Sequence, residues 1–185
     1  MLRALALAIT LAGSASAEAP LPFDLGGAYA LTNQHGETRT EADPGGHAQL
    51  LFFGYANCLN ICSAALPLMA EVAEVLAAEK IAVTPVMITV APEQDRVETM
   101  GALLADIHPD FIGLTGGAAD LQKAYDAFAV EVEPLFQDPE HGWVYAHGSF
   151  IYLLDGQGEM LTLMPPVLDA ERAADIVRGY LTPRG

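Results

Sequence analysis

Positive charge is scarce in this sequence: eight Lys and Arg stand against 24 Asp and Glu, a formal net charge of −16. Nucleic-acid binding needs a basic face, so that class is excluded. Attraction to an anionic membrane surface is excluded for the same reason. Long apolar runs are missing as well. A spanning helix needs about 20 apolar residues, and no stretch after residue 17 approaches that. Internal repeats, low-complexity tracts and an interdomain linker are absent too. What is present is a composition of 52% hydrophobic and 17% charged residues, which argues against disorder. A chain of 185 residues suffices for one domain with a sizeable core.

Cysteine occurs only twice, at Cys58 and Cys62. None lies in residues 1–17, which read as an export signal rather than a lipid-anchored leader. Arg3 supplies its positive region, Leu5 to Leu11 its short apolar core, and Ala15-Ser16-Ala17 its cleavage pattern. Cleavage near Ala17 would leave residues 18–185 as a single soluble domain, periplasmic or otherwise extracytoplasmic, with no transmembrane helix. In that setting a cysteine pair can be a structural disulfide, a redox centre or a metal site. A short-loop disulfide would add only modest stability to a domain of this size, which favours a chemical role.

Both cysteines sit in the stretch from Gln49 to Met69. The apolar run Leu50 to Phe53 enters it, Gly54 breaks the run, and a helical pattern leaves it. The thiols therefore fall where a buried strand hands over to a helix. The partial positive charge and unpaired N–H groups of a helix N-terminus favour thiolate over thiol. Thiolate is the form that attacks disulfides and binds soft metals.

The remaining pattern predicts short strands at 28–32 and 37–40 around a tight turn, and a doubly covered strand at 47–53. Helix 61–80, strand 81–90, helix 93–107, strand 111–114 and helix 118–128 follow. Pro67 is tolerable only near a first turn, so helix 61–80 is expected to start late or bend. Residues 130–147 read as irregular. A hairpin (149–154 with 160–164) and an amphipathic helix at 169–181, capped by Asp169, close the chain. Strands joined through helices imply parallel pairing by right-handed crossovers. The predicted class is α/β, a thioredoxin-like three-layer sandwich whose mixed central sheet is flanked by helices and carries an added N-terminal hairpin.

Two soft ligands make an incomplete metal site, and an imidazole or thioether could complete it. His35 in a turn, His47 at a strand start and His108 at a helix end are most simply structural. His141 and His147 lie in the segment before the closing hairpin, which in a thioredoxin-like layout faces the cysteine loop. His147 adjoins the apolar strand from Phe150 to Leu154, which fixes its position. His141 is further out and reads as a surface residue. Met69, Met87, Met100, Met160 and Met164 are core or gap-filling residues by their spacing.

With these residues in view, the sequence resembles the SCO/SenC copper proteins. That family writes its cysteine site as Gly-Tyr-Thr-His-Cys-Pro-Asp-x-Cys, and this chain has Gly54-Tyr55-Ala56-Asn57-Cys58-Leu59-Asn60-Ile61-Cys62. The family's His-Ser-x-x-x-Tyr-Leu block is matched by His147-Gly148-Ser149-Phe150-Ile151-Tyr152-Leu153, offset at Gly148. Thr89-Val90-Ala91-Pro92-Glu93-Gln94-Asp95 is similar to its Thr-Val-Asp-Pro-x-x-Asp segment, and the stretch from His108 to Gly116 to a fourth block. Leu59, Asn60, Ala91 and Ala146 depart from the family pattern. The resemblance implies one copper ion, Cu(I) or Cu(II), per chain, held by Cys58, Cys62 and His147. It implies that Cys58 and Cys62 are also a redox-active pair able to form a disulfide. The implied partners are the copper-receiving subunit of cytochrome c oxidase or another copper protein, and other copper chaperones.

Three function classes follow. A copper-binding assembly protein, a metallochaperone more than an enzyme, needs His147. A thiol–disulfide oxidoreductase needs Cys58 and Cys62 but not His147. A peroxide-reducing protein of the same fold would need one unusually reactive cysteine, and no residue pattern favours it.

Overall fold

The computed structural model describes residues 25–56 and 62–182; of Cys62 only the backbone is described. The expected signal segment and Cys58 lie outside those residues. Three parallel strands form the centre: β3 (Ala48–Gly54), β4 (Val83–Thr89) and β5 (Ile112–Thr115). All seven residues of β3 are buried, as its unbroken apolar run requires of a strand covered on both faces. Helix α1 (Cys62–Ala78) links β3 to β4, and α2 (Val97–Ala105) links β4 to β5. Both crossovers step the same way along the sheet, so right-handedness puts α1 and α2 on one face. Helix α4 (Ala170–Leu181) packs on α1. Helix α3 (Ala118–Ala127) and the residue after it cover the other face, where Phe53 meets Tyr125 and Phe128 at ring distances of 6.0 and 5.4 Å.

The sheet is extended on both sides by antiparallel strands. β1 (Ala30–Asn33) pairs with β5 and with β2 (Thr38–Thr40), the expected N-terminal hairpin. The closing hairpin, β8 (Ile151–Leu154) and β9 (Met160–Met164), is laid on β3. The seven-stranded order β2-β1-β5-β4-β3-β8-β9, with helices on both faces, is the thioredoxin-like mixed sandwich that the sequence predicts. Among the described residues no helix is long and apolar enough to cross a membrane.

Three details differ from the sequence reading. Residues 130–147 are not irregular throughout. They contain a second, two-stranded sheet, β6 (Glu133–Asp138) with β7 (Gly142–Ala146). Pro134 and a register shift beside it hid β6, and Gly142, at φ +80°, makes the turn. Helix α2 begins at Val97, not Glu93, because residues 91–95 form a turn in which the amides of Gln94 and Asp95 both donate to the carbonyl of Ala91. Helix α1 starts at Cys62 in spite of Pro67, which lies inside it.

Candidate metal centre

The C-terminal ends of parallel strands are where an open α/β sheet leaves a crevice. Here β3 delivers Tyr55 and Ala56 to that edge, and the cysteine loop continues from them. The backbone of Cys62 opens α1, so its position at a helix N-terminus is as the sequence predicts. The first turn of α1 contains no acidic residue to oppose a thiolate there.

His147 follows β7 directly. Its ring stands edge-on to Phe52 at 5.8 Å and to Tyr55 at 6.1 Å. Tyr55 is buried and lies three residues before Cys58, so the fold brings His147 to the start of the cysteine loop across about 90 residues of chain. Nδ1 of His147 is 2.8 Å from the carbonyl oxygen of Gly148. A carbonyl only accepts, so Nδ1 carries the proton and Nε2 the lone pair, the tautomer a metal-ligating imidazole needs.

Two acids inside the expected helix 93–107, Glu93 and Asp95, precede the observed helix and belong to this region instead. Asp95 is 1% exposed. Its carboxylate accepts from the Ala56 amide (3.1 Å to Oδ2) and from the Thr89 hydroxyl (2.8 Å). Thr89 Oγ1 in turn accepts from the Ala91 amide, and its carbonyl accepts from the Tyr125 hydroxyl at 2.7 Å. Glu93 accepts from the Tyr145 hydroxyl at 2.8 Å. Burial, then the Glu93 hydrogen bond and charge, push the Tyr145 phenol up to about 12. The Tyr145 ring stands edge-on to Tyr55 at 6.2 Å. The recurrence of Asp95 in the matched block was the available signal for its role; Glu93 falls on an unspecified position of that block, and the partners of neither were readable from it.

The other histidines are elsewhere. His141 Nδ1 is 2.9 Å from Asp138 in the β6–β7 turn. Amide donation from Glu140, with the His141 ring and amide, holds the Asp138 carboxyl below its usual range. His35, His47 and His108 line a cavity of about 780 Å³ beside Asp43 and Arg39, away from His147. Among the described residues no group of three His, Cys, Asp or Glu side chains is gathered for a metal ion. The methionines behave as read: Met69, Met87, Met100 and Met164 are buried.

A family model, SCO1/SenC, matches residues 17–182. The chain is 34% identical over 138 residues to a SCO2-like protein of Rickettsia felis, covering 74% of this chain and 67% of that one. It is 32% identical over 157 residues to the human mitochondrial SCO2 homolog, covering 84% of this chain and 59% of that protein. Among solved structures, ScoI of Bradyrhizobium japonicum with copper bound superposes with a TM-score of 0.74 at 28% identity, covering 85% of this chain and 99% of that one. Yeast Sco1 with copper bound gives a TM-score of 0.77 at 25% identity, over 87% and 92% of the two chains.

Proposed function

The chain belongs to the SCO1/SenC family, and on that premise we propose that it is an extracytoplasmic copper-binding protein. It takes one copper through Cys58, Cys62 and His147, and serves assembly of the copper site of cytochrome c oxidase. It does so by delivering copper or by reducing the cysteines that will receive it. The export signal at residues 1–17 and a single domain over 18–185 are part of this reading. Its support among relatives is that two of the matched structures carry copper. The observation that carries it is His147, held in the Nε2-basic tautomer against the residue that leads into the cysteine loop.

The donor set suits the cargo. Two thiolates favour Cu(I), and an imidazole also accommodates Cu(II). Two sulfurs and one nitrogen leave a coordination position through which a recipient's ligand could enter. The helix N-terminus at Cys62 lowers the proton affinity of a thiol placed there, readying it either for copper or for attack on a disulfide. In the reductive role the dithiol passes two electrons and two protons to a recipient disulfide and itself becomes the Cys58–Cys62 disulfide. That oxidised form cannot bind copper, so the two roles exclude each other at any moment.

Anaerobic titration of the reduced protein with Cu(I) and Cu(II), beside His147→Ala, tests the reading. One tight copper per chain is expected. In His147→Ala, which removes a proposed ligand, the Cu(II) complex should weaken by more than the roughly 10- to 100-fold that loss of a ligand's hydrogen-bonding partner costs, and its thiolate charge-transfer band should shift or disappear. Absence of tight copper in either oxidation state would overturn the metal reading and leave the thiol–disulfide oxidoreductase. Mass measurement of the exported protein should find an N-terminus after Ala17.

A further inference from the structure

The two halves of the candidate centre come from distant parts of the chain, and one short turn holds both. The turn runs from Ala91 to Arg96, between β4 and α2. Toward the cysteine side, the buried carboxylate of Asp95 accepts from the amide of Ala56, two residues before Cys58. The Val90 amide adds a bond to the carbonyl of Gly54 at 2.8 Å. Toward the histidine side, Glu93 accepts from the Tyr145 hydroxyl, and Gln94 Nε2 donates to the Trp143 carbonyl at 2.9 Å. Gly142 passes so close beneath Gln94 that an added Cβ would lie 3.2 Å from its amide nitrogen. Tyr145 is two residues before His147. Among the described residues no other strand pairs with the β6–β7 sheet, so these bonds do for it what a neighbouring strand would do elsewhere.

We infer that Glu93, Gln94 and Asp95 are positioning residues that clamp the cysteine loop and the His147-bearing hairpin to one turn and so set the distance across which copper is held. The inference rests on the Cys58–Cys62–His147 reading. The clamp acts through Ala56 on one side and through Trp143 and Tyr145 on the other. A ligand set drawn from two elements coordinates well only if their separation is fixed, and Cu(II), which needs the imidazole, depends on that separation more than Cu(I) does. Loosening the hairpin arm should therefore cost Cu(II) selectively.

The test uses the double variant Glu93→Ala/Gln94→Ala, at positions exposed enough to spare the core, with Glu93→Gln as the conservative partner that keeps an acceptor for Tyr145. In the copper-free protein, amide exchange across residues 143–146 should accelerate roughly tenfold in the double variant, with β3 unchanged and Glu93→Gln close to the parent. With copper, Cu(II) affinity should fall roughly tenfold with weakened imidazole nitrogen coupling in the electron paramagnetic resonance spectrum, while Cu(I) affinity changes less than about twofold. A double variant with parental exchange across the hairpin overturns the clamp. So does an equal loss of Cu(I) and Cu(II), which would mark a merely structural effect. If the parent itself binds no copper, the metal reading fails, and the clamp stands or falls on the exchange result alone.

Discussion

At the residue scale, the least ordinary side chains around His147 are aromatic. Phe52 and Phe53 are consecutive on β3 and point to opposite faces. Phe52 meets His147, while Phe53 meets Tyr125, Phe128 and Tyr152. One dipeptide thus ties the candidate ligand to one side of the sheet and α3 to the other. Tyr145 is the titratable member of this group, its phenol pushed up to about 12 by burial and Glu93. Its folded value exceeds the unfolded value of about 10, so folding favours its protonated form. That contribution is complete below about pH 10 and is lost as pH rises from about 10 to about 12. Urea unfolding followed across that window should show a shallower decline in Tyr145→Phe than in the parent. An identical slope would show that Glu93 and burial do not act on this phenol.

At the element scale, two helices stop in the same costly way. Beyond α1 the Ile81 amide donates back to the carbonyl of Leu76 and the Lys80 amide to that of Ala77, which places Lys80 in the left-handed region at φ 65°. Beyond α3, Val130 and Ala129 repeat the pattern with Tyr125 and Asp126, and Ala129 sits at φ 51°. This is the six-to-one termination that glycine usually serves. Neither position has one, so each carries left-handed strain that glycine would relieve, less the entropy glycine costs. Lys80→Gly is expected to raise stability by about 0.5–1 kcal/mol, read as a higher urea midpoint with unchanged slope. The change is confined to an exposed helix end and should leave copper binding alone. Helix α4 ends its approach to α1 with a two-pronged ion pair: Arg178 Nε lies 2.9 Å from Glu79 Oε2 and its Nη2 lies 2.6 Å from Oε1. That bond holds the Glu79 carboxyl below its usual range, so any help it gives is present above the ordinary carboxylate value and is lost as pH falls through the lowered one.

At the scale of the whole molecule, burial is unevenly shared. β3 and the last five residues of β4 are fully buried and hydrogen-bonded to each other in parallel. β6 exposes five of its six residues, with Leu135 and Phe136 more than half exposed. Stability should follow that division. Native-state amide exchange is expected to find β3 and β4 opening only with global unfolding, and β6–β7 opening at much lower free energy. Equal protection of both would mean that the outer hairpin is integral to the core.

How much of this was legible beforehand depends on the range of the interaction. Apolar period, glycine breaks and capping residues act over a few positions, and they sufficed for the buried parallel strands, the strand-to-helix handover at Cys62 and the closing hairpin. It also singled out His147, through the blocks shared with a known family. It did not show β6–β7, whose residues are too exposed and too interrupted by Pro134 to carry an apolar period. Nor did it show that Glu93, Gln94 and Asp95 serve two distant segments rather than a helix start. Local chemistry makes an acid before a helix look like a complement to the helix dipole. The folded chain brings the Ala56 amide and the Tyr145 hydroxyl to the same turn and so settles which donors those two carboxylates accept from, since a partner nearly 40 residues back and another some 50 ahead leave no periodic trace.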